Sequence, residues 1–438
     1  MVEHLKLLSV SINKKLKMSV LSLLMYTVLL PVLFTVSAFA QSNAKPLMVF
    51  ILAGQSNMQG HADVSTIDYI GDDPKTAPML LEMRDNSGKY RLVKDTWISY
   101  LTHGRGTPNG EGIGQLTVGF GARKDPAKDG GKVGPEFTFG IYMQKSLKQP
   151  ILIIKTAWGG KSLHTDFRPP SAGPYEFNGT QLEGFKKHGK DIKKVKAEKA
   201  KITGHYYRLM IDHVKKVMTN IKRVYPDYNP KVGYELAGFV WFQGWNDMVD
   251  QSTYPNRGKP GGYDTYSELL AQFIRDVRKD LSAPKLPFVI GVMGIGGPVE
   301  KYSPEQLRYK GIHYNFRIAM AAPAALPEFK GNVVAILTEK YWDMEVVELR
   351  EREKKIKQKV DEVNNKMKEG KLSREEGKVA LDKLYAETFT PREMENLKKS
   401  TSNFDFHYMG SAKIMAQIGK GFAEALVEMM KGHNHERT

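Results

Sequence analysis

The stretch Leu47-Met48-Val49-Phe50-Ile51-Leu52-Ala53-Gly54-Gln55-Ser56-Asn57-Met58 decides the fold. Its first seven residues are continuously apolar and rich in branched side chains. A half-exposed strand would interleave polar residues, so this run reads as a strand buried on both faces. Gly54 lets the chain turn sharply. Ser56 then falls where open α/β sheets present their chemistry, just outside the carboxyl end of a strand. Gln55 and Asn57 bring side-chain donors and acceptors to the same turn. Gly, Ser and Asn are also ordinary turn residues, so this segment alone fits a plain strand-to-turn junction equally well.

Working outward, Pro150–Lys155, Leu236–Phe242 and Leu286–Met293 read as further buried strands, with Val333–Leu337 as a fourth candidate. Between them lie two amphipathic helices. Tyr206 to Val224 sets Tyr207, Met210, Ile211, Val214, Val217 and Ile221 at helical spacing, and Tyr266 to Leu281 does the same with Leu269, Leu270, Phe273, Ile274 and Val277. Strands alternating with helices predict an α/β fold with a parallel sheet covered on both faces.

Residues 345–400 differ. They are dense in Lys, Arg and Glu, with Val346, Leu349, Ile356, Val360, Val363 and Met367 at helical steps. Gly370 offers a stop, and Ser373 with Glu376 forms a capping-box start for a second helix. The segment reads as a charged helical hairpin inserted into the α/β domain, with a solvated outer face. Lys186 to Lys201 reads as a second exposed insertion.

The first forty residues have the form of an export signal. Lys6, Lys14, Lys15 and Lys17 precede a mostly apolar Val20–Val36, and Ala38-Phe39-Ala40 matches a small-x-small cleavage site after Ala40. Ser22, Tyr26, Thr27 and Pro31 interrupt the apolar run, which favours cleavage over a stable span. A periplasmic or extracellular location is therefore expected. The chain of 438 residues has no cysteine, which excludes thiol catalysis and Cys-based metal sites. Its formal net charge is +17, of which about +14 remains without residues 1–40. Export argues against nucleic acid as the partner; an acidic glycan or an anionic cell surface is the more natural one, and a soluble lysine-rich surface is the plainest account of the charge.

Three more blocks carry chemistry. Thr156-Ala157-Trp158-Gly159-Gly160-Lys161-Ser162 follows the second strand; it lacks the glycine a P-loop needs at 155, which is Lys, so nucleotide binding is rejected. Paired glycines there can aim a backbone N–H at an oxyanion. Gln243-Gly244-Trp245-Asn246-Asp247 follows the third strand and offers an amide donor. Asp405-Phe406-His407 precedes the final helix, Ile414 to Met430. A carboxylate beside an imidazole fixes its tautomer. His433 and His435 lie in a short tail.

Taken with Gly134-Pro135-Glu136, these blocks resemble the SGNH hydrolases, and within them the sialate O-acetylesterase-like branch, carbohydrate esterase family 6. The resemblance spans roughly residues 46–175, 204–343 and 401–430. It implies a flavodoxin-like three-layer sandwich with a central parallel sheet. The esterase domain would occupy 41–344 and 401–431, interrupted by the insertion at 345–400, after a signal peptide at 1–40 and before a tail at 432–438. The implied activity is removal of O-acetyl groups from a carbohydrate, with no cofactor and no metal. Ser56 would be the nucleophile and His407 the general base. The oxyanion would be held by the Ser56 N–H, a Gly159 or Gly160 N–H and the Asn246 side chain, with Gln243 competing for the last role. Two departures stand out. The final block is usually Asp-x-x-His, but Phe404 stands three before His407. Where the branch often has Gln-Gly-Glu, this chain has Trp245. Asp405 is the first choice for the triad acid and Asp247 the reserve, with a Ser–His dyad as a third option. The competing functions are a glycan-binding protein without turnover and a lipid or aryl esterase on the same fold.

Overall fold

The computed structural model describes residues 45–103, 108–123 and 131–435, with side chains to 432. The export signal expected at 1–40 and the side chains of the tail histidines His433 and His435 lie outside what is described. The buried run becomes β1 (Leu47–Gly54), every residue of which is buried. A two-residue β2 (Ala62–Asp63) pairs antiparallel with β5 (Lys132–Val133) in a small ribbon. Between them come β3 (Thr96–Thr102) and β4 (Gly110–Gln115). Then follow β6 (Ile151–Ala157), β7 (Tyr234–Phe242), β8 (Phe288–Val292) and β9 (Val333–Leu337). The main sheet has the order β4-β3-β6-β1-β7-β8-β9 and is parallel except for the edge strand β4. It is a mostly parallel sheet flanked by helices, consistent with the SGNH-type α/β sandwich expected.

Both faces carry helices. On one face Phe50 packs edge-on against Phe139 of the helix Glu136–Leu147, and Phe242 against Phe422 of the final helix Ala412–His435. On the other, Phe273 of the helix Asp264–Asp280 meets Phe239 and Trp241, and also Tyr207 of the helix His205–Thr219. Phe239 and Trp241 therefore face one layer and Phe242 the other, the period-two alternation of a strand buried on both sides.

The order puts β1 in the middle, with β6 and β3 to one side and β7, β8 and β9 to the other. The path from β6 to β7 crosses β1. The carboxyl ends of β6, β1 and β7 thus meet at a topological switch point, where open α/β sheets form their ligand crevice.

A buried charge anchors this region. Lys155, on β6, is fully buried, and its Nζ donates to Gln59 O (2.9 Å), Phe120 O (2.9 Å) and Glu136 Oε2 (2.7 Å). Glu136 is equally buried and accepts Gly134 N–H through its other oxygen. Burial pulls the Lys155 amine down to about 8, while the Glu136 carboxylate beside it holds it up, so the ammonium persists at neutral pH. The Gly-Pro-Glu block thereby holds the turn that carries Ser56.

The charged segment folds as the helices Met344–Lys368 and Arg374–Thr388, the latter opened by the Ser373–Glu376 capping box. A third helix, Pro391–Lys399, follows and was not foreseen. Val346 and Leu349 at the base of the first helix are buried in the protein, whereas most of the hairpin beyond them is solvated. Lys186–Lys201 falls in two short helices, Gly179–Lys187 and Ile192–Ile202, neither with a buried residue. Among the described residues no helix is long and apolar enough to cross a membrane.

Candidate active site

Three adjacent strand ends supply three of the expected blocks. After β1 the chain enters a single helical turn, Ser56–Gln59, with Ser56 at its first position. The first N–H groups of a helix have no partner within it, so the Ser56 N–H is free of helical bonding. Gly54 is required here by close approach: a Cβ at this position would lie 2.1 Å from Phe242 O, the last carbonyl of β7. Trp158 N–H donates to Gly54 O (3.2 Å) and brings Gly159 and Gly160 alongside. Gly160 adopts φ +72, and Gly159 lies against the Gln59 side chain.

Gln55 ties the nucleophile turn to the β7 loop. Its Oε1 accepts the N–H of Gly244 (3.0 Å) and Asn246 (3.4 Å) and an amide hydrogen of Gln243 (3.3 Å). Its Nε2 donates to Asn246 Oδ1 (2.9 Å) and lies 3.5 Å from Ser56 Oγ. Because Asn246 Oδ1 accepts from Gln55, the Asn246 amide keeps its Nδ2 as a donor for another partner. Gln243 cannot share that role. Its Nε2 is committed to Asp247 (2.6 Å), Lys161 O (3.0 Å) and Gln55.

Asp247, the reserve acid, is fully buried. It accepts Leu163 N–H (2.8 Å), His164 N–H (3.0 Å), Gln243 Nε2 and the Tyr254 hydroxyl (3.2 Å). Burial raises its carboxyl above the ordinary range against these stabilising bonds. It joins the loops after β6 and β7 and makes no bond to His407.

His407 comes from the segment Asp405–Gly410, which packs against the Ser56–Gln59 turn. That segment is held tightly. Tyr408 and Met409 both adopt left-handed backbone, φ 52 and 58, an uncommon state that persists only where the surroundings impose it. The buried Tyr408 hydroxyl accepts Gly294 N–H (2.8 Å) and bonds Thr338 Oγ1 (2.6 Å). Met409 O accepts the N–H groups of Ser402 and Asn403.

The Asp405–His407 pairing expected from the sequence is not made. The Asp405 side chain is 62% exposed and accepts from Arg350 (2.7 Å), on the inserted helix. Asn403 stands in its place: its Oδ1 lies 3.0 Å from His407 Nδ1 and also accepts Phe404 N–H (2.8 Å). An amide oxygen only accepts, so Nδ1 carries the proton and Nε2 keeps its lone pair. The His407 ring lies flat on His61, with centroids 3.9 Å apart and planes within 6°. Burial, with Lys132 adding to it, lowers His407 to about 4, and burial followed by His407 lowers His61 to about 3. Two neutral imidazoles can stack in this way; two imidazolium ions would repel. No hydrogen bond joins Ser56 Oγ to His407 among the described residues.

Sequence reasoning missed Asn403 and His61. Asn403 stands four residues before His407, and the turn closed by His407 N–H to Phe404 O (3.0 Å) brings the two side chains together; a reading that looks for an acid passes over an amide at that spacing. His61 was legible only as a histidine five residues beyond Ser56.

The sequence model of one family, described as carbohydrate esterase, sialic acid-specific acetylesterase, matches residues 46–321, well over half of the chain. The match ends before His407. No curated protein matches. Among solved structures, a protein from Arabidopsis thaliana is 18% identical over 67% of this chain and 86% of its own, with a TM-score of 0.32. A protein from Xanthomonas citri, described as a novel carbohydrate acetylesterase, is 14% identical over 66% of this chain and 48% of its own, with a TM-score of 0.35. NanS is 14% identical over 68% of this chain and 79% of its own, with a TM-score of 0.34. The chain belongs to the family of carbohydrate esterases matched over 46–321 and is a carboxylic ester hydrolase.

Proposed function

We propose that the chain is an exported serine esterase that removes O-acetyl groups from a carbohydrate. Ser56 attacks the acetyl carbonyl while His407 Nε2 takes the hydroxyl proton. The tetrahedral oxyanion is received by the Ser56 N–H, the Gly159 N–H and Asn246 Nδ2. Collapse expels the sugar hydroxyl, which takes the proton from His407, and leaves an acetyl-Ser56 ester. Water then repeats the sequence and releases acetate. A serine hydroxyl needs such a base at neutral pH, and each preorganised oxyanion donor contributes about 3 kcal/mol. The observation that carries this reading is the Gln55 clamp. It holds Ser56 and Asn246 in one rigid unit and leaves the Asn246 donor unspent. Asn403 takes the orienting role that Asp405 was expected to fill.

The test is acetate release by Ser56→Ala. Loss of the nucleophile is expected to lower turnover on the order of 10⁴-fold or more with folding unchanged. A variant keeping more than about a tenth of wild-type activity removes Ser56 from the mechanism. Export is tested separately, by whether the mature protein begins after Ala40 in the periplasmic or culture fraction.

A further inference from the structure

A cavity of about 660 Å³ opens beside the candidate catalytic residues, and the ester chemistry does not use it. The wall it shares with the site is an aromatic pair. Trp245 precedes Asn246 and Phe406 precedes His407, and their rings lie 5.6 Å apart. Phe406 also meets the His407 ring edge-on at 4.4 Å. The groups that flank an ester held at Ser56 are therefore chain neighbours of the groups that line the cavity. Tyr302, Tyr309 and Ile312, from the region after β8, form a second wall. Val347, Arg350 and Lys354 form a third. These three belong to the inserted helix Met344–Lys368, beyond the 46–321 family match.

The cavity's charges largely cancel. Arg350 is held by Asp405 and Lys354 by Glu351. Arg257 donates to Val249 O, and Arg308 lies over the Tyr309 ring with Glu305 on the same lining. A chain of net charge +17 thus has a locally balanced cavity lined mainly by aromatic and aliphatic groups. That is unsuited to trapping a polyanion. It suits the C–H faces of pyranose rings, which need flat apolar surfaces with polar groups at the edges.

We infer that this cavity is the subsite for the glycan that carries the acetyl group, with the charged insertion as one of its walls. The inference rests on the acetylesterase reading and adds to it where the sugar sits and what the insertion is for. The Arg350–Asp405 pair then has a use: it fastens the insertion wall to the segment that carries His407.

The experiment measures binding without turnover. Full-length Ser56→Ala protein is titrated with chitotriose, xylotriose and 3′-sialyllactose by calorimetry, and the fluorescence of Trp245 and Trp342, which line the cavity, is followed. At least one glycan is expected to bind and to perturb that fluorescence. Tyr309→Ala removes a ring from a side chain already 41% exposed, so the fold should tolerate it. Val347→Trp fills the space from the insertion side. Each is expected to weaken the glycan's Kd by about tenfold or more. Absence of binding by all three glycans at millimolar concentration, unchanged affinity in both variants, or burial of the cavity in a self-associated dimer each overturns the subsite. Hydrolysis of 4-nitrophenyl acetate by the wild-type chain separates the two readings. Turnover without glycan binding rejects the subsite alone; binding without any turnover rejects the esterase mechanism alone.

Discussion

His407 takes its tautomer from an amide rather than a carboxylate, and the two differ in one measurable respect. A carboxylate fixes the ring and stabilises the imidazolium, whereas an amide oxygen fixes it with far less electrostatic effect. With burial dominant, His407 lies near 4 and is neutral throughout the physiological range. The acid limb of kcat/KM is therefore expected well below the ordinary histidine value of 6.5, close to 4. Asn403→Ala should lower kcat on the order of 10²-fold by freeing the ring to rotate and change tautomer. Asp405→Asn should leave turnover within about threefold, because that carboxylate is solvated and bonded to Arg350. Asn403→Asp is the discriminating variant: a carboxylate at Nδ1 raises the imidazole pKa, so the acid limb should move upward. An unmoved limb, or a severe defect in Asp405→Asn, rejects this assignment. At this scale the sequence was legible wherever a residue ended an apolar run. Ser56, Gly159 and Asn246 all do, and the sheet brings them together. The partner of His407 was not read, because a carboxylate was sought and Asn403 is an amide, brought to the ring by the turn between residues 403 and 407.

The elements tell a similar story, since strands buried on both faces declare themselves as apolar runs. The sequence segments 47–53, 150–155, 236–242, 286–293 and 333–337 became β1, β6, β7, β8 and β9. β3 and β4 did not declare themselves. β3 carries Thr96, Ser99 and Thr102 among its apolar residues, and β4 is the glycine-rich edge Gly110-Glu111-Gly112-Ile113-Gly114-Gln115, whose only large apolar residue, Ile113, is exposed. The polar residues of these strands have tertiary partners, such as Ser99 with Glu111 and His213, that one-dimensional pattern cannot show. Lys155 is the sharpest example. It looked like the charged end of a strand, yet it is fully buried and gathers Gln59 O, Phe120 O and Glu136. Removing one member leaves an uncompensated charge, so Lys155→Met and Glu136→Gln should each cost about 3–5 kcal/mol in urea unfolding. The double variant Lys155→Met/Glu136→Gln should cost clearly less than the sum, since the paired charges leave together. Simple additivity in the cycle shows that the two do not act as a unit.

At the scale of the whole molecule, four histidines lose much of their hydration on folding: His213 is buried, and His61, His313 and His407 are half-buried. Burial is the leading cause in each case: His61 falls to about 3, and His213, His313 and His407 to about 4. In the unfolded chain these groups bind protons near 6.5. Between about 6.5 and 4 the unfolded state therefore holds more protons than the folded one, and stability rises with pH across that window. It is fully present above 6.5 and is lost as pH falls toward 4. The lowered carboxyl groups of Glu111 and Asp250 carry the same sign, but act below their ordinary values near 4. The onset at 6.5 is thus the histidine signature. The net charge of +17 also disfavours the compact state, and increasingly so as histidines ionise, which offers a rival origin for acid sensitivity. Salt separates the two. Surface repulsion is screened within about 3 Å at 1 M salt, whereas the cost of charging a buried imidazole is little affected. Urea unfolding from pH 8 to 5 in 1 M NaCl should show a flat stability above about pH 7 and a decline below it, with several protons taken up on unfolding at pH 5. A profile that becomes level in high salt assigns the effect to net charge and shows that these histidines are not neutral in the folded protein.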